Sequence, residues 1–135
     1  MVETALLCLA LNIYHEARGE PIQGQKAVAA VTMTRARHDP ARVCHEVFRP
    51  YQFSWANPLT TVDSITRSQR AQWFIPKDQR AWLRAKTIAT RALAGEMHNP
   101  VKRANHFHTM DVSPRWAAQM HQVARIGSHI FYEGR

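Results

Sequence analysis

The hydrophobic positions of the chain fall into a few periodic runs, and the first of them carries a carboxylate on its apolar side. Leu6, Leu9, Ile13 and Glu16 recur three or four residues apart, which puts Glu16 on the buried stripe of a helix with about 3.6 residues per turn. The pattern predicts a first helix from Thr4, as its cap, to about Arg18, stopped by a left-handed Gly19 and by Pro21. A second helix is predicted from about Gln23 to Arg37. Its Val28, Val31 and Met33 serve the core, while Ala27, Ala29 and Ala30 let a partner helix approach closely. Arg42 to Phe48 reads as a short helix, and Tyr51 to Trp55 as an extended segment between Pro50 and Pro58. Leu59 to Pro76 is polar and irregular apart from Trp73-Phe74-Ile75, a composition that suits a flap over a groove. A third long helix is predicted from Asp78, its cap, to about Ala94, with Trp82, Ala85, Ala89 and Leu93 at helical spacing and Gly95 as the stop. The stretches 104–108 and 126–132 alternate as two strands of a small sheet, separated by a helix-like run from Pro114 to Val123. The pattern predicts a mainly helical α+β fold with a small antiparallel sheet.

Composition narrows the setting. At 135 residues and 45% hydrophobic, the chain is expected to form a single domain over 1–135 with its own core. The net charge of +8 and the pI near 10.3 favour polyanionic surroundings: nucleic acid, anionic lipid or an acidic envelope polymer. The basic residues are fourteen arginines and four lysines spread from Arg18 to Arg135, without the dense basic runs or aromatic clusters of common nucleic-acid modules. The run Ala5 to Leu11 is too short to span a bilayer and follows Glu3 rather than a basic leader, so it reads as a core helix and not as a signal peptide. Cys8 and Cys44 sit among apolar neighbours, which fits buried thiols, while a pair also permits one disulfide.

The chemistry starts from Glu16. Removal from water penalises the charged carboxylate and raises its pKa, which equips a glutamate to protonate a leaving group near neutral pH. The plainer alternative is a side chain that ends the stripe and reaches back to solvent.

Several blocks point to a family when read in order. These are Ile13 to Pro21, Gly24-Gln25 with Ala27-Val28-Ala29, Val43-Cys44 with Val47, Gln52-Phe53-Ser54-Trp55, Pro114-x-Trp116, and Ile126-Gly127-x-His129-x-Phe131-Tyr132. Together they resemble the cell-wall hydrolases of the SleB spore-cortex-lytic type, over nearly the whole chain, with the segment from Leu59 to Val101 adding little. The resemblance implies a lysozyme-like, mostly helical scaffold. It also implies a lytic transglycosylase that cuts the glycosidic bond between N-acetylmuramic acid and N-acetylglucosamine in peptidoglycan. The first Glu of the family's Glu-Ala-Arg-Gly-Glu motif falls on Glu16, so the resemblance and the burial argument meet on one residue. Such an enzyme needs a single carboxyl group, whereas a hydrolytic variant needs a second, as nucleophile or as water-activating base. Glu20, Glu46 and Asp111 are the candidates for the second, and the ordinary alternative for Glu20 is a cap or salt bridge at the start of the second helix.

The resemblance further implies that Gln52, Ser54 and Trp55 line a glycan groove, with His108 as an orienter of substrate or of Glu16; the plainer alternatives are that Phe53 and Trp55 are core and His108 a structural histidine. His129 and Tyr132 are expected to tie the last strand to the first helix, and Tyr132 also to reach the cleft. Where relatives carry a Gly-Ala pair before the His106 region, this chain has Arg103-Ala104; with Lys102 this is either simply a solvated basic loop or one that favours the anionic stem peptides and phosphate-bearing polymers of the envelope. The leading alternative is a metal-dependent amidase or peptidase on the same polymer, with His106, His108 and one of His15, Glu16 or Asp111 as ligands. The chain lacks a His-Glu-x-x-His motif, and neither metal nor cofactor is expected. A non-catalytic binding module would account for the charge but not for Glu16. The expected partner is peptidoglycan glycan strands, met by a monomer that does not insert into membranes. A small basic muralytic chain of this kind is similar to phage endolysins, held in the host cytoplasm until released to the wall.

Overall fold

The computed structural model describes residues 2–49 and 76–134. Among them are four α-helices, α1 (Val2–Ala17), α2 (Ile22–Arg35), α3 (Pro40–Val47) and α4 (Gln79–Leu93), and three strands, β1 (His106–Thr109), β2 (His121–Ile126) and β3 (His129–Glu133). A short 3-10 turn, Arg115–Gln119, precedes β2. No helix among the described residues is long and apolar enough to cross a membrane.

Helix α1 is the centre of the molecule. Residues Cys8 to Tyr14 along it are buried without a break, the signature of a helix enclosed on all sides, and it packs against α2, α3 and α4. The one polar residue of that stretch, Asn12, is fully buried and accepts a 2.6 Å bond at Oδ1 from the Thr32 hydroxyl of α2, which satisfies its carbonyl where water cannot reach. The small face of α2, with Gly24, Ala27, Ala29 and Ala30 all buried, permits the close approach its composition predicts. Asp39 and Asp78 cap α3 and α4 by accepting from Ala41 N and Ala81 N, supplying partners to orphan amides. Gly95 stops α4 with φ of +73°.

Helix α1 begins at Val2, ahead of the expected Thr4 cap, and Gly19 is not left-handed; the chain leaves the helix through Arg18 N and Glu20 N bonding back to Tyr14 O and Ala17 O. Helix α3 starts at Pro40, two residues before the predicted position, since proline suits the first helical turn. The largest difference is in the sheet, whose order is β1-β3-β2 with both pairs antiparallel. The run 126–132, read from the sequence as one strand, folds at Gly127-Ser128 into a hairpin. The predicted helix over Pro114–Val123 shrinks to the 3-10 turn, and His121–Ile126 forms a third strand. A bulge between Gln122 and Ala124 shifts the register against β3 and breaks the two-residue alternation that would have marked the strand. Cys8 and Cys44 form a disulfide joining α1 to α3, with the Cα atoms 5.3 Å apart, so the buried-thiol alternative does not hold.

The sheet has two unlike faces. Phe107, His129 and Phe131 turn toward the helices, with ring centroids 5.1–5.9 Å apart, and Phe131 packs with Val28, Val31 and Val101. His106, His108 and Tyr132 lie on the other face, as the alternation along β1 and the pairing of His106 with Tyr132 require.

Candidate functional site

Glu16 stands in the last turn of α1, half-buried, where the stripe led by Leu9 and Ile13 is fully buried. Burial pushes its carboxyl pKa from 4.5 up to about 7, because the low-dielectric surroundings penalise the charged form. The neighbouring cation does not compensate: Arg18 lies 4.8 Å over the Tyr14 ring and donates to the Tyr14 hydroxyl. A carboxyl with this pKa is half protonated near neutrality, so it can deliver a proton and then act as a base.

His108 and Tyr132 come together on the open face of the sheet. Their rings stack with centroids 5.2 Å apart, and Tyr132 Oη lies 2.8 Å from His108 Nε2. His108 Nδ1 is 2.7 Å from the Thr109 carbonyl. A carbonyl only accepts, so Nδ1 carries a proton and donates to Thr109 O, leaving Nε2 to face the Tyr132 hydroxyl. His106 is oriented by the same logic. Asn105 Oδ1 accepts from Gly134 N and its Nδ2 donates to Gly134 O, which fixes the amide and makes His106 Nδ1 the donor to Oδ1 at 2.9 Å. Trp116, for which no site role was expected, closes the cluster, its ring centroid 5.2, 5.6 and 5.5 Å from those of His106, His108 and Tyr132. The Pro114-x-Trp116 block was the signal for it. Four aromatic rings at such distances form a rigid platform of the kind that stacks on apolar sugar faces.

The other candidates sit elsewhere. Glu20 does not cap α2, whose first turn carries no side-chain cap. Its Oε1 accepts a 2.7 Å bond from Ser128 N and lies 3.7 Å from the buried His129 Nδ1. It therefore ties the β2–β3 turn to the α1–α2 connection, with His129 beside it; among the described residues the expected tie to the first helix itself is not made, since Glu20 lies beyond α1 and Tyr132 is on the other face of the sheet. A Cβ at Gly127, whose φ is +58°, would meet that carboxylate oxygen at 2.3 Å, so the turn needs glycine for both conformation and space. Glu46 is held by Arg35 at 3.4 Å and Arg49 at 3.7 Å. Asp111 is exposed and accepts from the Thr109 hydroxyl, which lowers its pKa. Gln52, Ser54, Trp55 and the stretch 59–75 lie outside the described residues. No three His, Cys, Asp or Glu side chains among the described residues converge as a metal site would require, so the ligand set of His106, His108 and one of His15, Glu16 or Asp111 is not assembled.

The described residues thus present an acid poised near neutrality at the end of a buried helix and an aromatic cluster on the open face of the sheet. The chain belongs to the cell wall hydrolase family, whose model matches residues 19–132, beginning three residues after Glu16. It is similar to the spore cortex-lytic enzyme of Halalkalibacterium halodurans, with 31% identity over 126 residues, covering 91% of this chain and 33% of that protein. The spore cortex-lytic enzyme of Bacillus subtilis is 29% identical over 130 residues, covering 93% and 36% respectively. The chain thus spans about a third of the length of these curated relatives. Among solved structures, the catalytic domain of the germination-specific lytic transglycosylase SleB from Bacillus anthracis superposes with a TM-score of 0.71 at 26% identity, covering 98% of this chain and 97% of that one. The mainly helical α+β architecture with a small antiparallel sheet is the shared fold.

Proposed function

We propose that this chain degrades peptidoglycan by cleaving the bond between N-acetylmuramic acid and N-acetylglucosamine, as a lytic transglycosylase with Glu16 as the only acid and base. The observation that carries the reading is the Glu16 carboxyl raised to about 7 by burial, in a chain of the cell wall hydrolase family. Glu16 protonates the glycosidic oxygen as the C1–O bond breaks. The resulting carboxylate then takes the proton of the muramic C6 hydroxyl, whose oxygen attacks C1 and closes a 1,6-anhydro ring, returning Glu16 to its acid form. No water enters the balance, and no second carboxylate is required.

Two observations support the one-carboxylate form over hydrolysis. Glu20 is committed to the Ser128 amide, and Asp111 to the Thr109 hydroxyl on an exposed turn, so both have structural employment. In this reading the platform of His106, His108, Trp116 and Tyr132 stacks against the glycan, with Gln52, Ser54 and Trp55 as further groove residues.

The test is digestion of purified peptidoglycan by the wild type, Glu16→Gln and Glu20→Gln, with products identified by mass spectrometry. Anhydro-muropeptides from the wild type and Glu20→Gln, and none from Glu16→Gln, are expected. Reducing-end products would move the reaction to hydrolysis with a second carboxylate. Released stem peptides, or full activity in Glu16→Gln, would overturn the glycosidic reading and bring forward the metal-dependent amidase.

A further inference from the structure

Behind the aromatic platform lies an open cavity of about 540 Å³ whose lining includes Arg35, Arg37, Arg42 and Arg49, with Glu46 and His106. Among the described residues, four guanidinium groups meet there against one carboxylate. Glu46 is shared by Arg35 and Arg49, and Arg42 has an exposed 3.7 Å pair with Asp39 outside the lining. Arg35 is anchored: its side chain is only 16% exposed, and it donates to Glu46 Oε2 and to the Asn105 carbonyl at 3.2 Å. The positive surplus acts on the platform itself, since His106 has its pKa lowered by burial and by the Arg35 charge.

The backbone beneath Arg37 points the same way. Helix α2 ends in a Schellman turn, with His38 N bonding to Met33 O and Arg37 N to Thr34 O. The position past the cap, where glycine takes the left-handed conformation freely, is Arg37 at φ of 56°, and His38 follows at 57°. Two consecutive side-chain-bearing residues in that region are strained, and such strain concentrates where a side chain has a task. Here it sets a guanidinium at the cavity that a glycine would not supply.

We propose that this cavity is a subsite for the carboxylates of peptidoglycan stem peptides, bound by Arg37, Arg42 and Arg49 while the glycan lies on the adjoining platform. His106 connects the two, lining the cavity and packing against Trp116. The assignment rests on the glycan reading above. Guanidinium groups pair with carboxylates through two parallel hydrogen bonds, and a cavity lined by one sign of charge concentrates the opposite one.

The test uses Glu16→Gln protein, to prevent turnover, and two soluble ligands: glycan strands bearing stem peptides and the same strands stripped of them. Peptide-bearing strands should bind roughly tenfold to a hundredfold more tightly, as charge-assisted contacts allow. Adding Arg37→Gly and Arg42→Gln should abolish that difference and leave binding of stripped strands unchanged. Arg37→Gly alone relieves the left-handed strain, so its melting temperature should rise while affinity falls, which separates a lost contact from a damaged fold. Equal binding of both strands, or a preference that survives the arginine variants, would overturn the subsite and leave the glycan reading standing. No binding of either strand would overturn the glycan reading and the subsite with it. Competition by inorganic phosphate but not by free stem tripeptide would make the cavity a phosphate site and overturn the assignment.

Discussion

Replacing Glu16 with glutamine should stabilise the protein, and only above acidic pH. With a pKa of 4.5 in the unfolded chain and about 7 in the folded one, the native state holds the proton over a window in which the unfolded state has lost it. Stability therefore falls as pH rises from about 4.5 to 7 and stays at the lower level above. At roughly 1.4 kcal/mol per pH unit the full penalty is about 3 kcal/mol, and the partial exposure of the side chain reduces it to about 2–3 kcal/mol. Glutamine matches the shape of the protonated acid and never ionises. Wild type and Glu16→Gln should unfold alike at pH 4, while at pH 8 the variant should melt roughly 10 °C higher for a domain of this size. Thermal unfolding followed by circular dichroism at both pH values, with the disulfide kept oxidised, reads the difference. A variant that is equally stable at pH 8, or that loses stability by the same amount at both pH values, would show a solvated carboxylate and remove the physical basis for its acid role.

Other consequences are independent of that one. The kcat for peptidoglycan turnover should fall above pH 7, approaching about tenfold per pH unit as the acid form of Glu16 is depleted, measured by dye release from labelled peptidoglycan. Reducing the Cys8–Cys44 bond, which spans a sequence separation of 36, should cost about 3–4 kcal/mol in urea unfolding with and without dithiothreitol. Gly127→Ala should cost about 1–3 kcal/mol because its methyl group meets the Glu20 carboxylate in a left-handed turn, and unchanged stability would show that the turn relaxes freely. Trp116→Ala should weaken glycan-strand binding by about tenfold, the worth of an aromatic contact, while leaving the thermal unfolding of α1 to α4 largely intact.

How much was visible in the chain depends on whether the signal was local. Helices α2 and α4, the Asp78 cap and the Gly95 stop follow from side-chain periodicity and capping chemistry within a few residues, and they stand where the pattern puts them. Glu16 was legible for the same reason, since its place on the stripe of Leu9 and Ile13 is a property of helix geometry. The hairpin was hidden because a bulge at Gln122–Ala124 removes the alternation of β2 and because Gly127 joins two strands that read as one. The Cys8–Cys44 bond depends on α1 and α3 packing side by side, which no neighbouring residue announces. The places of Glu20, Trp116 and the four arginines were likewise decided only by tertiary structure. Glu20 meets Ser128 across a sequence separation of 108, and the arginines acquire their common cavity when the ends of α2 and α3 meet β1. Local periodicity determines which elements form and which faces they bury. Distances between side chains far apart in sequence are set by how those faces pack, and the candidate site is made of such distances.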